Sequence, residues 1–196
     1  MDKENASGEN FNKYFPIRNG DKVNNYYDFF ISKDESVIYK KNNQSSERLS
    51  QIFQDIEKRE LFLGVLNGTE IPFSIRVHVV KGFDFEDDGS YKSSFVHGYR
   101  LDLLEFYEFS NEDLKEIIAE TEVLLRNLNK ANENGELIGD WALHNLVYSL
   151  SKKKIVNVDL EGFITYNPIP TWANMDVISE WIKTVQNFCI NPRNMI

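Results

Sequence analysis

The chain has 196 residues, a formal net charge of −9, and 41% hydrophobic and 13% aromatic content. That length suits one domain, or two small lobes sharing a cleft, with enough apolar material for a core. The acid excess excludes a nucleic-acid binder held by phosphate contacts and a protein docked on an anionic membrane; it leaves room for a nucleotide, because a divalent cation carries positive charge into such a site.

Residues 1–12 are polar and acidic, without the apolar core of a signal peptide, and read as a disordered tail. Residues 26–31 and 36–40 are aromatic and β-branched and flank Lys33-Asp34-Glu35, which predicts a hairpin. Ser45 or Ser46 caps a helix carrying Leu49, Ile52, Phe53 and Ile56, stopped by Asn67-Gly68. Phe73 to Val80 alternates, with Phe73, Ile75, Val77 and Val79 on one face, as a half-buried strand does. Asp84 to Ser90 is an acidic turn, and Ser94 to Leu104 returns as a strand. Ser110 followed by Asp113 is a capping-box variant opening a helix that repeats Leu114, Ile117, Ile118, Leu125 and Leu128 and closes at Asn132 to Gly135. Leu146 to Leu150 and Ile155 to Val158 flank Ser151-Lys152-Lys153-Lys154 as a second hairpin. A last helix starts near Asn174, with Val177, Ile178, Trp181, Ile182, Val185 and Phe188 on one side. The order predicts an α+β fold of two unequal lobes, β-rich over residues 13–109 and helical over 110–196. No repeat and no apolar run of membrane-spanning length interrupts it.

Chemistry concentrates around the second hairpin. Asp140 and Asn145 lie on the loop that enters it, and Asp159 lies just past its exit. In an antiparallel pair, residues of constant index sum face each other. A turn centred near Lys152 sets Asn145 opposite Asp159 at the open end, with Asp140 one short loop away. Asn145 and Asp159 then offer oxygen ligands to a hard cation, and Asp140 a carboxylate to orient or deprotonate a hydroxyl, which are the needs of phosphoryl transfer.

At these residues the sequence resembles the protein kinase-like superfamily. Asp140 and Asn145, with four residues between them, match the catalytic loop, and Asp159-Leu160-Glu161-Gly162 matches the metal-binding Asp-Phe-Gly motif. The Gly139-Asp140 form is similar to the aminoglycoside-phosphotransferase and lipopolysaccharide-kinase branches. The chain departs from the pattern at Ile138, where those branches carry His, at Leu160 in place of Phe, and at the additional Glu161. The resemblance implies a compact two-lobed kinase-like fold with a truncated helical C-lobe. It implies ATP and Mg2+ as cofactors, Asp140 as the catalytic residue, and Asn145 and Asp159 as metal ligands. It also implies a strand lysine on the phosphates, Lys40 first and Lys41 next, paired with Glu57 or Glu60 on the following helix. A glycine-rich phosphate loop is not evident, since Gly20 stands alone between Gly8 and Gly64. The short segment after Gly162 lacks an Ala-Pro-Glu and the helices that dock protein substrates, which points to a small-molecule or glycan acceptor. Asn174-Met175-Asp176-Val177 resembles the start of the helix that supports the catalytic loop.

The remaining polar residues carry plainer readings. His144 reads as a hydrogen-bonded loop residue, and His78 and His97 are too isolated for a zinc site. Trp141, Trp172 and Trp181 read as core or cleft-wall aromatics, and Lys152-Lys153-Lys154 and Asp87-Asp88 as solvated turns. Cys189 is the single cysteine, which excludes an internal disulfide and fits a reducing, cytoplasmic setting. The expected function is a phosphotransferase moving the ATP γ-phosphate to a hydroxyl on a sugar or glycan. The alternative is a catalytically inactive kinase-like module that binds a protein partner or tethers a glycan, and a third reading is an α+β interaction protein without kinase ancestry.

Overall fold

Aromatic and β-branched runs near the amino terminus build an antiparallel sheet, and the apolar faces of two long helices close a core against a second sheet. The computed structural model describes residues 11–14, 27–42, 78–80, 82–84, 86, 88–135, 139–159 and 172–191. Strands β1 (Phe11–Tyr14), β2 (Tyr27–Ser32), β3 (Val37–Asn42), β5 (Gly82–Phe83) and β6 (Tyr91–Ser94) form the first sheet in the order β1-β2-β3-β6-β5. Strands β4 (His78–Val79), β7 (Gly98–Arg100), β8 (Leu146–Ser149) and β9 (Lys154–Asn157) form the second in the order β4-β9-β8-β7, with β4 parallel to β9. The second sheet thus takes strands from both sides of residue 110. Helices α1 (Asn111–Glu133) and α2 (Trp172–Ile190) complete an α+β architecture.

Local chemistry explains the boundaries. The β2–β3 turn holds Glu35 at φ 55°, and Asp34 Oδ1 accepts from Ser36 N at 3.2 Å, so the acidic turn caps itself. Phe11 and Asn12, expected in the tail, belong to β1 and pair with Ser32 and Ile31; residues 1–10 lie outside the described residues. The single strand expected over Ser94 to Leu104 is a correction. Tyr91 to Ser94 pairs with β3, whereas Gly98 to Arg100 pairs with β8, so the chain leaves one sheet and enters the other between them. A 3-10 turn over Leu101–Leu103 ends that passage. Gly98 is required there: a Cβ on it would stand 2.0 Å from the Tyr148 carbonyl oxygen.

Ser110 caps α1, its Oγ accepting from Asp113 N at 3.1 Å and donating to the Asp113 carboxylate at 2.8 Å. The buried stripe of α1 holds Leu114, Ile117, Ile118, Leu124 and Leu128, with Leu125 at its edge. On α2 it holds Met175, Ile178, Trp181, Ile182 and Val185. Val177, expected in that stripe, is 51% exposed; one residue before Ile178, it is rotated about 100° off the buried face. The core joins both helices to Leu101, Trp141, Leu146, Tyr148, Ile155 and Val156, and so lies directly beneath the second hairpin. The helix expected after Ser45, including Glu57 and Glu60, and most of the Phe73–Val80 strand lie outside the described residues.

Two tyrosines make alkaline stability a measurable consequence. Burial pushes the Tyr39 hydroxyl up to about 12, with Glu86 adding to it, and burial also raises that of Tyr148, with Glu116 adding there. Their folded values stand above the unfolded value of about 10. The stability they contribute is therefore complete below about pH 10 and lost as pH rises toward the folded values, because the unfolded chain releases those protons first. Denaturant melts repeated at rising pH should show this decline, with phenolate absorbance from the last tyrosines appearing together with unfolding. Ionisation of every tyrosine near pH 10 in a fully folded protein would contradict the assignment.

Candidate active site

The β8–β9 hairpin brings the sequence-selected residues together, with one correction of register. The ladder pairs Leu146 with Asn157 and Ser149 with Lys154, so Asn145 faces Val158, whose N–H donates to Asn145 O at 2.9 Å. Asn145 does not face Asp159, because the chain turns through residues 150–153, with Lys153 at φ 52°, rather than about Lys152. Inside a strand such a slip would send a side chain to the opposite face. Both residues lie beyond the strand ends, Asn145 in the 3-10 turn Leu143–Asn145 and Asp159 past β9, and this frees them from the alternation. Their side chains meet: Asn145 Nδ2 donates to Asp159 Oδ2 at 3.4 Å. Asn145 is buried and Asp159 half-buried.

Asp140 follows Gly139, whose φ of 96° is a left-handed conformation that a side chain would strain. Its Oδ1 accepts from Ala142 N at 3.0 Å and from Asn174 Nδ2 at 3.0 Å. The first bond is a local Asx turn; the second comes from the opening turn of α2. Both fall on one oxygen and fix the plane of the carboxylate, with Oδ2 as the second acceptor of the group. Among the described residues, Asn157 links Asp140 to Asp159: its Nδ2 donates to Asp140 O at 2.8 Å, and its Oδ1 accepts from Asp159 N at 2.8 Å.

Lys40 reaches the same place from the first sheet. Its cross-strand neighbours are Phe29 on β2 and Tyr91 on β6, and their rings flank the ammonium at 5.8 and 5.4 Å. The side chain is 7% exposed and donates to Val158 O at 3.3 Å, one residue before Asp159. Lys41, the next residue on the strand, is exposed on the other face. The described residues thus gather Asp140, Asn145, Asp159 and Lys40 at one end of the second hairpin. Glu57, Glu60, Ile138, Leu160, Glu161 and Gly162 lie outside them.

Other polar residues take structural places. His97 Nε2 lies 2.7 Å from Glu35 O, and no group of His, Cys, Asp and Glu among the described residues forms a metal cluster. The lysine turn is solvated at Ser151, Lys152 and Lys153, and it also pairs with α1, Lys154 with Glu120 at 2.7 Å and Lys153 with Glu116 at 3.7 Å. Trp141 and Trp181 are core residues, the latter donating to Leu101 O at 3.0 Å. The side chain of Trp172 lies outside the described residues.

Two residues of the site were missed in the sequence. Asn157 had a readable signal, since it interrupts the apolar run Ile155-Val156-Asn157-Val158, where only a satisfied amide is tolerated. Asn174 shows in the sequence only as the start of a helix, because its bond to Asp140 spans 34 positions and has no local signature.

No family model matches the chain, and no curated protein matches it. Solved structures do. The PknI kinase domain of Mycobacterium tuberculosis is similar at 16% identity and a TM-score of 0.41, with 84% of this chain and 64% of that one covered. The ADP-bound aminoglycoside phosphotransferase APH(2'')-Ib is similar at 10% identity and a TM-score of 0.45, with 92% and 86% covered. The apo form of PpkA-294 is similar at 16% identity and a TM-score of 0.43, with 88% and 64% covered. The chain therefore spans less than two thirds of the PknI kinase domain and of PpkA-294, at 64% of each.

Proposed function

We propose that this chain is a kinase-like phosphotransferase that moves the γ-phosphate of ATP to a hydroxyl, on a small molecule such as a sugar or a glycan. The observation that carries the reading is the meeting of Asn145 and Asp159 at 3.4 Å, beside Asp140 and the buried Lys40. The donor set fits a hard cation: one carboxylate and one carboxamide, with phosphate oxygens and water to complete the shell. Rotation of the Asn145 amide by half a turn brings its Oδ1, rather than Nδ2, toward that position. Asn145 and Asp159 would hold magnesium there, and the charge it would supply is what the transferring phosphates require.

The protein's own groups do the rest. Asp140, held through Oδ1, accepts the proton of the attacking hydroxyl or aligns its lone pair through Oδ2. Lys40, confined by Phe29 and Tyr91, extends its ammonium toward the phosphates. In this reading residues 13–109 grip the nucleotide, residues 110–196 present the hydroxyl, Glu57 or Glu60 partners Lys40, and the setting is cytoplasmic. Among the described residues no helix is long and apolar enough to cross a membrane.

Thermal denaturation with rising ATP and Mg2+ tests the proposal. A single site at a hundredfold excess over its dissociation constant adds about 2.7 kcal/mol, a rise in Tm of about 5–11 °C for a chain of this size. ATP without Mg2+ should give a smaller shift. The second reading, a catalytically silent module for a protein partner or glycan, is favoured by the missing glycine-rich loop and by Ile138. It predicts no shift with either.

A further inference from the structure

We propose that Asn157 is a positioning residue that fixes the spacing between the two acids of the site, Asp140 and Asp159. The inference rests on the phosphotransferase reading. Asn157 has a fully buried side chain on β9, an interior strand of the second sheet. Its backbone is held on both sides, by Leu146 of β8 and Val79 of β4, and its carbonyl accepts from Val80 N at 2.9 Å. From that fixed base the carboxamide spans the site, with Nδ2 on Asp140 O and Oδ1 on Asp159 N, each at 2.8 Å.

The chemistry is specific to an amide. One end must donate and the other accept, and a flipped amide would set oxygen against oxygen and N–H against N–H. Leucine, with the same branching, would serve packing on the face shared with Leu146 and Ile155 without either bond. Asp140 precedes β8 and Asp159 follows β9, both at the open end of the hairpin, and the amide is a direct strut between their backbones. Transfer between a metal-held phosphate and a hydroxyl aligned by Asp140 depends on that spacing, and displacement of about 1 Å costs on the order of 10²-fold in rate.

The acceptor being unidentified, ATP hydrolysis with water as acceptor is the assay, run across Mg2+ concentrations for the wild type, Asn157→Leu and Asn157→Asp. Asn157→Leu loses both bonds: kcat should fall by about 10- to 100-fold, the half-saturating Mg2+ should rise several-fold, and KM for ATP at saturating Mg2+ should stay close to wild type. Asn157→Asp keeps an acceptor for Asp159 N but sets a carboxylate oxygen against the Asp140 carbonyl oxygen and adds a buried charge, so kcat falls while the half-saturating Mg2+ does not rise. Hydrogen exchange reads the strut without turnover: the Asp159 amide should lose protection in Asn157→Leu and keep it in Asn157→Asp. Unchanged kcat in either folded variant, or equal loss of kcat and ATP affinity in both, overturns the inference while leaving the phosphotransferase reading intact. If Asn157→Leu does not fold, Asn157→Asp decides. A wild type that neither hydrolyses ATP nor is stabilised by it with Mg2+ overturns the phosphotransferase reading, and the role of Asn157 with it; the exchange pattern then reports only a structural bond.

Discussion

On the proposed function, Asp159→Asn should remove the magnesium-dependent part of nucleotide binding and lower turnover by at least about 10²-fold, the scale of losing one preorganised electrostatic contact. The substitution is nearly isosteric, and the Asn145 amide can rotate to hydrogen-bond the new carboxamide, so the fold should persist. What is lost is charge: Asp159 is the anionic member of the pair that meets at 3.4 Å. Calorimetric titration with ADP, with and without Mg2+, checks it. The variant should bind the nucleotide equally in both conditions, whereas the wild type binds more tightly with the metal. Asp140→Asn provides the contrast, with Mg2+-dependent binding retained and turnover reduced by about 10²- to 10⁴-fold, the range of general acid–base contributions. Full turnover of Asp159→Asn would remove the metal role from this residue.

The largest expected effect on stability is at Trp141. This side chain is 1% exposed, immediately follows Asp140, and packs in the core beneath the hairpin. Trp141→Ala should destabilise by about 3–5 kcal/mol, through lost transfer energy and the cavity left behind. That is a large share of the roughly 5–15 kcal/mol by which a domain is stable, and it corresponds to a Tm lower by about 6–20 °C. Chemical denaturation checks it, and a loss below 1 kcal/mol would mean that the loop around Asp140 is not anchored by this residue. The substitution should also cost activity at temperatures where the protein remains folded, because the cavity opens under the backbone that carries Asp140.

The same pairing of site and core explains what was legible in the sequence. Both hairpins were readable, because polar turn residues separate runs of strand formers: Asp34 bonds its own turn, and Ser151-Lys152-Lys153-Lys154 divides the apolar runs that become β8 and β9. The α1 boundaries were readable for the same reason, Ser110 at one end and Gly135 at φ 70° at the other. The register of the second hairpin was displaced by one residue, since sequence marks a turn but not which pair closes it. The strand expected over Ser94 to Leu104 failed because its residues serve two sheets, and residue types alone do not reveal a change of partner.

Sequence alone supplied the candidate groups: two acids and an amide around a hairpin, a lysine on an early strand, and a net charge of −9. Their types and local spacing are properties of the chain, set by hydrogen-bonding and titration chemistry that needs no fold. Tertiary structure alone decided that Lys40 reaches the Val158 carbonyl across 118 positions, that Asn174 holds Asp140, and that Asn157 links both acids. Such contacts are fixed by which sheets and helices bury their apolar faces against one another, and although each face shows in the periodicity of its own element, the choice of partner does not.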